Sequence, residues 1–329
     1  MASHYNGKRR QLMTGAAAAV ACMALPVLAQ AFPTRPIKLV VPFGAGGSTD
    51  SLARLLAQRL SERMQQPMTV DNKAGAAGAI GADAVAKSAA DGYTLLVATS
   101  STHAVLPQLR KLPYDPQRDF TPVAFLGSAP NVLVTSPALG VTSVQQLLAL
   151  QKARDGKLSF SSSGNGTVTH LIAEAFLQRA GITATHIPYK TGVQALPDLV
   201  SGQVDFAFDS IVWTLPQARG GKVRALAIAS KERSALAPEL PTVHESGFPG
   251  FDGTTWFGVM APGGLPAAIA AELNRSINEV LTDPVVRKAF EAQGAEPQPM
   301  SAAAFAARVR EDGARWAEVV SKGQIKIEQ

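Results

Sequence analysis

Ile37-Lys38-Leu39-Val40-Val41-Pro42-Phe43-Gly44-Ala45-Gly46-Gly47-Ser48-Thr49-Asp50 reads as a strand, a glycine-rich loop and a helix start. The branched run 37–41 suits a strand, and Pro42 ends it. Ser48 or Thr49 is expected to cap the helix, with Asp50 in its first turn, where negative charge suits the positive helix end. Leu52, Leu55, Leu56 and Leu60 then recur at helical spacing. The same unit returns later. Leu158–Phe160 is a strand, Ser161-Ser162-Ser163-Gly164-Asn165-Gly166-Thr167-Val168-Thr169-His170 is the loop, and Val168, Leu171, Ile172, Ala175 and Phe176 share one helix face.

Both loops point to the same chemistry. Glycine lets a ligand approach main-chain N–H groups closely. Unpaired N–H groups at a helix start favour an anion. Serine and threonine hydroxyls add donors. Ligands of open α/β sheets bind beyond the carboxyl ends of strands, where these loops lie. The candidate binding residues are therefore Phe43, Gly46, Ser48, Thr49 and Asp50 in the first loop, and Ser163, Gly164, Asn165, Gly166, Thr167, Thr169 and His170 in the second. Either loop alone could be an ordinary strand–helix turn; one in each half strengthens the binding reading. Thr99, Ser100, Ser101, Thr102 and His103, after the strand Tyr93–Ala98, could offer hydroxyls to the cleft or cap the next helix, with Ser100 and Thr102 taken as the binding candidates. Tyr189 and Asp209 follow strands in similar positions. Asp209 could receive a ligand amine, bind water or cap the helix near Trp213, which itself could line the pocket or sit in the core.

Outward from these loops, strand and helix patterns alternate through the first two thirds of the chain. Met68–Val70, Asn131–Thr135, Thr185–Ile187, Val204–Phe208 and Val223–Ala229 are further strands, and Ala76–Lys87 is a small-residue helix. Alternation of this kind predicts α/β layers with largely parallel sheets. The last part differs: a Pro/Gly-rich stretch, a strand over Thr255–Met260, then three helical segments ending with Ala302–Val320.

The N-terminus carries Lys8, Arg9 and Arg10, an Ala-rich apolar stretch and Ala29-Gln30-Ala31. This pattern predicts a signal peptide over residues 1–31, cleaved after Ala31, and export to the periplasm. A membrane anchor is the alternative, but the segment is short and interrupted by Pro26. Arg9-Arg10 could serve twin-arginine export or an ordinary basic n-region. Cleavage leaves 329 − 31 = 298 residues and removes the single cysteine, Cys22. It also removes three cations, so a balance of 31 − 25 = +6 becomes 28 − 25 = +3. That is no nucleic-acid footprint. With 46% hydrophobic residues the chain is no disordered polymer.

Enzyme templates fail. The first loop lacks the third glycine of a dinucleotide fingerprint, neither loop ends in Gly-Lys-Ser/Thr, and no nucleophile elbow is present. The remaining histidines (His103, His170, His186 and His244) are scattered, so no metal site and no cofactor are expected. A secreted serine hydrolase built from Ser162, His170 and Asp209 is the weak alternative.

Pro42-Phe43-x-Ala45-Gly46-Gly47-Ser48-Thr49-Asp50, Pro113-Tyr114-Asp115-Pro116 with Asp119-Phe120, Ser163-Gly164-Asn165-Gly166 with His170, His186-x-Pro188-Tyr189-Lys190, and Pro241-Thr242-Val243 with Gly247 occur in this order. As a set they closely resemble the Bug family, the periplasmic solute-binding proteins of tripartite tricarboxylate transport. The resemblance spans the chain from Phe32-Pro33 onward. It implies an α/β, two-lobed type II periplasmic-binding-protein fold (a Venus flytrap), each lobe a mixed sheet flanked by helices. The expected lobes are 32–130 plus 252–329, and 131–251. It also implies a non-enzymatic receptor that closes on a small organic carboxylate, acts as a monomer and delivers its ligand to integral-membrane permease subunits. In this family a carboxylate meets the loop matching Gly164–His170, and waters bridge to the loop matching Phe43–Asp50. Two departures stand out: Gly44 where proline is common, and Thr191 between Lys190 and the glycine that usually follows it. Delivery to a two-component sensor is the alternative destination.

Overall fold

The computed structural model describes residues 32–155 and 157–323, so the expected signal peptide lies outside the described residues. From Arg35 onward the described residues form one unit. The first expected strand and helix are β1 (Ile37–Val41) and α1 (Ser48–Met64). They are followed by β2 (Met68–Asn72), α2 (Ala79–Ala86) and β3 (Thr94–Thr99). Ser101–Val105 is a single π-helical turn leading into α3 (Leu106–Leu109). β1 pairs in parallel with both β2 and β3.

The largest departure from the expected pattern is β4, which runs unbroken from Phe120 to Thr135. Its expected portion began only at Asn131. Pro130 hides the continuity, because proline in a run reads as a strand boundary. β4 pairs antiparallel with β9 (Thr254–Pro262) over Phe120–Pro130, then with β7 (Phe206–Ser210) and β8 (Arg224–Ile228) from Asn131 onward. One strand thus belongs to two sheets and changes partners at Pro130/Asn131. Gly127 makes the bend possible. Its φ is +147°, and a Cβ there would stand 2.2 Å from the Glu296 carbonyl oxygen of the short strand β10 (Glu296–Pro297).

The second sheet repeats the first. After α4 (Val144–Ala153) come β5 (Ser159–Ser162), α5 (Val168–Ala180), β6 (Thr185–Pro188) and α6 (Leu196–Ser201), then β7 and α7 (Ile211–Arg219). β5 is parallel to β6 and β7. Strand order through both sheets is β2-β1-β3-β9-β4-β7-β5-β6, with β8 and β10 also on β4. Strand–helix alternation alone predicts largely parallel sheets; the sheets are mixed, as the family resemblance implies, because β4 and β9 run antiparallel to the strands they join.

The C-terminal helices α8 (Ala267–Thr282), α9 (Pro284–Ala292) and α10 (Ala302–Gly323) complete the chain. On α10, Phe305 is fully buried against β9, where a Cβ at Gly258 would lie 2.2 Å from its ring. Trp256 Nε1 donates to Asp312 Oδ2 at 2.8 Å, and the Trp256 and Phe305 rings meet edge-on at 5.5 Å. Among the described residues no helix is long and apolar enough to cross a membrane.

Candidate functional site

The carboxyl ends of β1, β3, β5 and β7 open on one cleft. Phe43, Gly47, Ser48 and Thr49 form one wall; Thr99, Ser101, Asn131, Thr255 and Phe257 lie along the strands; Ser163, Thr167, Val168 and Thr169 face from the second loop; Lys190–Val193, Asp209, Ser210 and Trp213 complete it. The space between these walls, open mouth included, is about 610 Å³. Lys190 is the one cation and Asp209 the one anion among the lining side chains. The remaining polar groups are mostly hydroxyls.

The second loop is built around its glycines. Gly164 and Gly166 take φ of +123° and +77°. Their turns let Thr167 Oγ1 donate to the Gly164 carbonyl at 2.8 Å and Ser163 N–H donate to Thr169 Oγ1 at 3.0 Å. The α5 hydrogen-bond ladder begins with Leu171 N–H on the Thr167 carbonyl, so the amides before it have no carbonyl within the helix. One of them, Val168 N–H, donates to Ser101 Oγ at 3.0 Å and ties α5 to the turn after β3.

His170 does not face the cleft. Its Nδ1 accepts Gly166 N–H at 3.2 Å, and its ring stacks on His186 with centroids 3.9 Å apart and planes within 10°. His186 in turn stacks on Phe160 and shares a 2.7 Å hydrogen bond with Ser162 Oγ. Burial, and then the neighbouring His170, push the His186 imidazole down to about 3, so it stays neutral. The two rings brace the loop from behind. The hydrolase geometry fails here: Ser162 pairs with His186 rather than His170, while Asp209 Oδ2 accepts from Ser163 at 3.3 Å.

The first loop is also braced from behind. Gly47, not Ser48 or Thr49, is the N-cap residue of α1, and no side chain caps it. Asp50 points away from the cleft and accepts from Gly46 N–H (3.0 Å), Arg54 Nε (2.9 Å) and Asn72 Nδ2 (2.9 Å). Burial pulls its carboxyl up, but these three donors outweigh it and hold the group below its usual range. The glycine loop is thus fastened at Gly46 by the carboxylate, which leaves Ser48 and Thr49 at the cleft surface.

Asp209 is the buried carboxylate of the opposite wall. Its Oδ1 accepts from Ser210 N–H at 2.7 Å and Trp213 Nε1 at 3.0 Å. Burial pushes the carboxyl up to about 6, only partly offset by Trp213, Ser210 and Ser163. The helix cap proposed for it is supplied by Ser210, whose hydroxyl accepts from Val212 N–H. Gly192 packs directly on the Asp209 carboxylate: a Cβ there would stand 1.9 Å from Oδ2.

Of the sequence candidates, Phe43, Ser48, Thr49, Ser163, Thr167, Thr169 and Asp209 line the cleft, and nine others do not. Gly46 and Asp50 fasten the first loop; Gly164, Gly166 and His170 shape the second; Asn165 is exposed. Ser100 is spent on Trp256 N–H, Thr102 on His103, and the Tyr189 hydroxyl on Asp198. The residues of this stretch that line the cleft are Thr99 and Ser101, on either side of Ser100, with the π-turn setting which side chains face out. Asn131, Thr255 and Phe257 carried no signal at all: they sit mid-strand and reach the cleft only where β4 changes sheets.

This geometry has close counterparts. A family model described as tripartite tricarboxylate transporter family receptor matches residues 52–325. BugT of Bordetella pertussis is 42% identical over 324 residues, spanning 98% of this chain and 99% of that protein. The chain belongs to the tripartite tricarboxylate transporter receptor family. A Rhodopseudomonas palustris protein solved with adipate superposes with a TM-score of 0.86 at 38% identity, covering 90% of this chain and 99% of that one. The periplasmic binding protein BugD does so with a TM-score of 0.84 at 33% identity and the same coverage. MatC of R. palustris, solved with malate, gives 0.83 at 35% identity, covering 88% of this chain and all of that one. The fold is therefore the two-lobed type II periplasmic-binding-protein arrangement, and this receptor is a solute-binding protein, not an enzyme. Its two departures from the family pattern meet: a Cβ at Gly44 would lie 3.2 Å from Thr191 Cγ2, across the cleft.

Proposed function

We propose that this receptor closes on a small organic carboxylate in the periplasm and passes it to the membrane subunits of its transporter. The start of α5, where Ser163, Thr167 and Thr169 converge on amides free of helix bonds, carries the reading. Relatives solved with adipate and malate support the ligand class. The signal-like N-terminus supports export after cleavage at Ala31. The lobes are 32–130 plus 252–329, and 131–251, hinged on the strands that join the two sheets. One chain supplies a whole cleft, which suits a monomer.

Each charge-assisted hydrogen bond to a carboxylate contributes about 1.5–3 kcal/mol, against about 8 kcal/mol for micromolar binding. Two or three such bonds leave a remainder that lobe contacts made on closure supply. The test is a thermal-shift screen of the refolded chain 32–329 against mono-, di- and tricarboxylates, followed by calorimetry on Thr167→Val and Thr169→Val. At least one acid should raise the melting temperature, with affinity falling about tenfold or more in either variant. Stabilisation by no carboxylate, or full affinity in both variants, would sink the reading.

A further inference from the structure

Asp209 is the one carboxylate of the cleft lining, and its two oxygens are differently placed. Oδ1 is saturated by Ser210 N–H and Trp213 Nε1. Oδ2 meets the Ser163 hydroxyl at 3.3 Å and packs against the Gly192 backbone, where a Cβ would stand 1.9 Å away. The residue is 5% exposed. Oδ2 is thereby crowded on two sides, which suits a proton better than a ligand ammonium. No cation offsets the buried charge. Lys190 lines the cleft but makes no ion pair among the described residues. Asp198, on α6, takes the Tyr189 hydroxyl, and Asp50 of the first loop is paired with Arg54. Behind the second loop, His170 stacks on His186 and lies 3.6 Å from Glu174. From β4 and α7 come Val132 and Trp213, which do not titrate.

A hydroxyl has one hydrogen, so Ser163 cannot give it twice. While Asp209 is ionised, that hydrogen is spent on Oδ2. Ser163 then shows the cleft only lone pairs, which repel an incoming carboxylate. A proton on Oδ2 reverses the bond. The carboxyl donates to Ser163 Oγ, and the serine hydrogen turns to the ligand. Protonation also removes one of two negative charges that would otherwise face each other across a single side chain, an arrangement in which one carboxyl keeps its proton. Burial already biases Asp209 towards the protonated form.

We infer that the cleft binds a proton together with its carboxylate: Asp209 Oδ2 takes the proton from solvent, and Ser163 reverses its hydrogen bond to pass the change to the ligand. The inference rests on the carboxylate reading above and deepens it. Ser163 touches the ligand, while Asp209 acts through Ser163 as a positioning residue. By linkage, affinity falls as pH rises through the range in which the loaded cleft keeps a proton that the empty cleft has lost.

The experiment is titration calorimetry of the refolded chain with malate and adipate, then with the other acids that raise its melting temperature. Repeated at about pH 7 in buffers of low and high ionisation enthalpy, it counts the protons bound per ligand. About half a proton or more should be taken up. Affinity should fall about fivefold or more from about pH 6.5 to about pH 8.5, a range in which free carboxylic acids are already ionised. Asp209→Asn keeps a donor permanently on Ser163 Oγ. This variant should take up no proton, lose the pH dependence and bind about fivefold or more tightly than the parent at about pH 8.5. Equal or weaker binding by the variant at that pH overturns the inference. So does zero uptake by the parent, a count that is decisive by itself should the variant not fold. If acids bind without a proton, this inference fails and the carboxylate reading stands; if no carboxylate of any kind binds, both fail.

Discussion

Asp209 is held by three donors yet keeps a raised pKa, because burial outweighs them. A carboxyl raised from 3.8 to about 6 binds a proton in the folded state that the unfolded chain has already released. Stability is therefore greatest below the unfolded value and falls as pH rises through this window. Asparagine cannot ionise, and its amide can donate to Ser163 Oγ while its oxygen keeps Ser210 N–H and Trp213. Asp209→Asn should thus gain stability relative to the parent, by about 2 kcal/mol, between about pH 4.5 and about pH 7.5, measured by urea unfolding at both. Gly192→Ala tests the same contact from the other side. With a Cβ 1.9 Å from the carboxylate, the wall must shift, and both a stability loss of about 1–3 kcal/mol and weaker ligand binding in calorimetry are expected. The importance of Gly192 was not visible in the sequence, since its backbone conformation is ordinary and only the tertiary neighbour forbids a side chain.

The element on which both sheets depend is β4. Its expected portion, Asn131–Thr135, is the half in the second sheet; the half in the first sheet was hidden by Pro122, Gly127 and Pro130. Those residues are tolerated because β4 bends and shifts register against β9 at two places rather than running as a flat central strand. Gly127→Ala should be strongly destabilising, by about 2 kcal/mol or more, because a methyl group would enter the Glu296 carbonyl at a φ of +147°. Loss of the β10 pairing, read as faster amide exchange at Glu296 and Ser128, is the accompanying signature. The helices that carry the loops were far more legible. The start of α5 and its buried face of Val168, Leu171, Ile172, Ala175 and Phe176 follow from local periodicity, and all five residues are buried as that periodicity requires.

The first loop lies against residues 190–193, with Gly44 and Gly47 both near Thr191 Cγ2. A branched residue at position 44 must push the Thr191 side chain aside in this arrangement. Gly44→Val should hold the lobes apart, lowering ligand affinity about tenfold or more through a shifted open–closed balance; small-angle scattering should show a saturated variant still more extended than the saturated parent. What the sequence determined by itself was local: glycine loops between strands and helices, and the amphipathic faces that bury those helices. These are carried by spacing and by residue type within a few turns of chain, so they survive without knowledge of the neighbours. Only the tertiary structure decided which side chains of those loops face the ligand. Asp50 and His170, the most reactive-looking members, turn inward because Gly46, Arg54 and Asn72, and Gly166 and His186, offer them partners there. Asn131 and Thr255 reach the cleft because distant strands meet at the place where β4 passes from one sheet to the other, and no local pattern records that meeting.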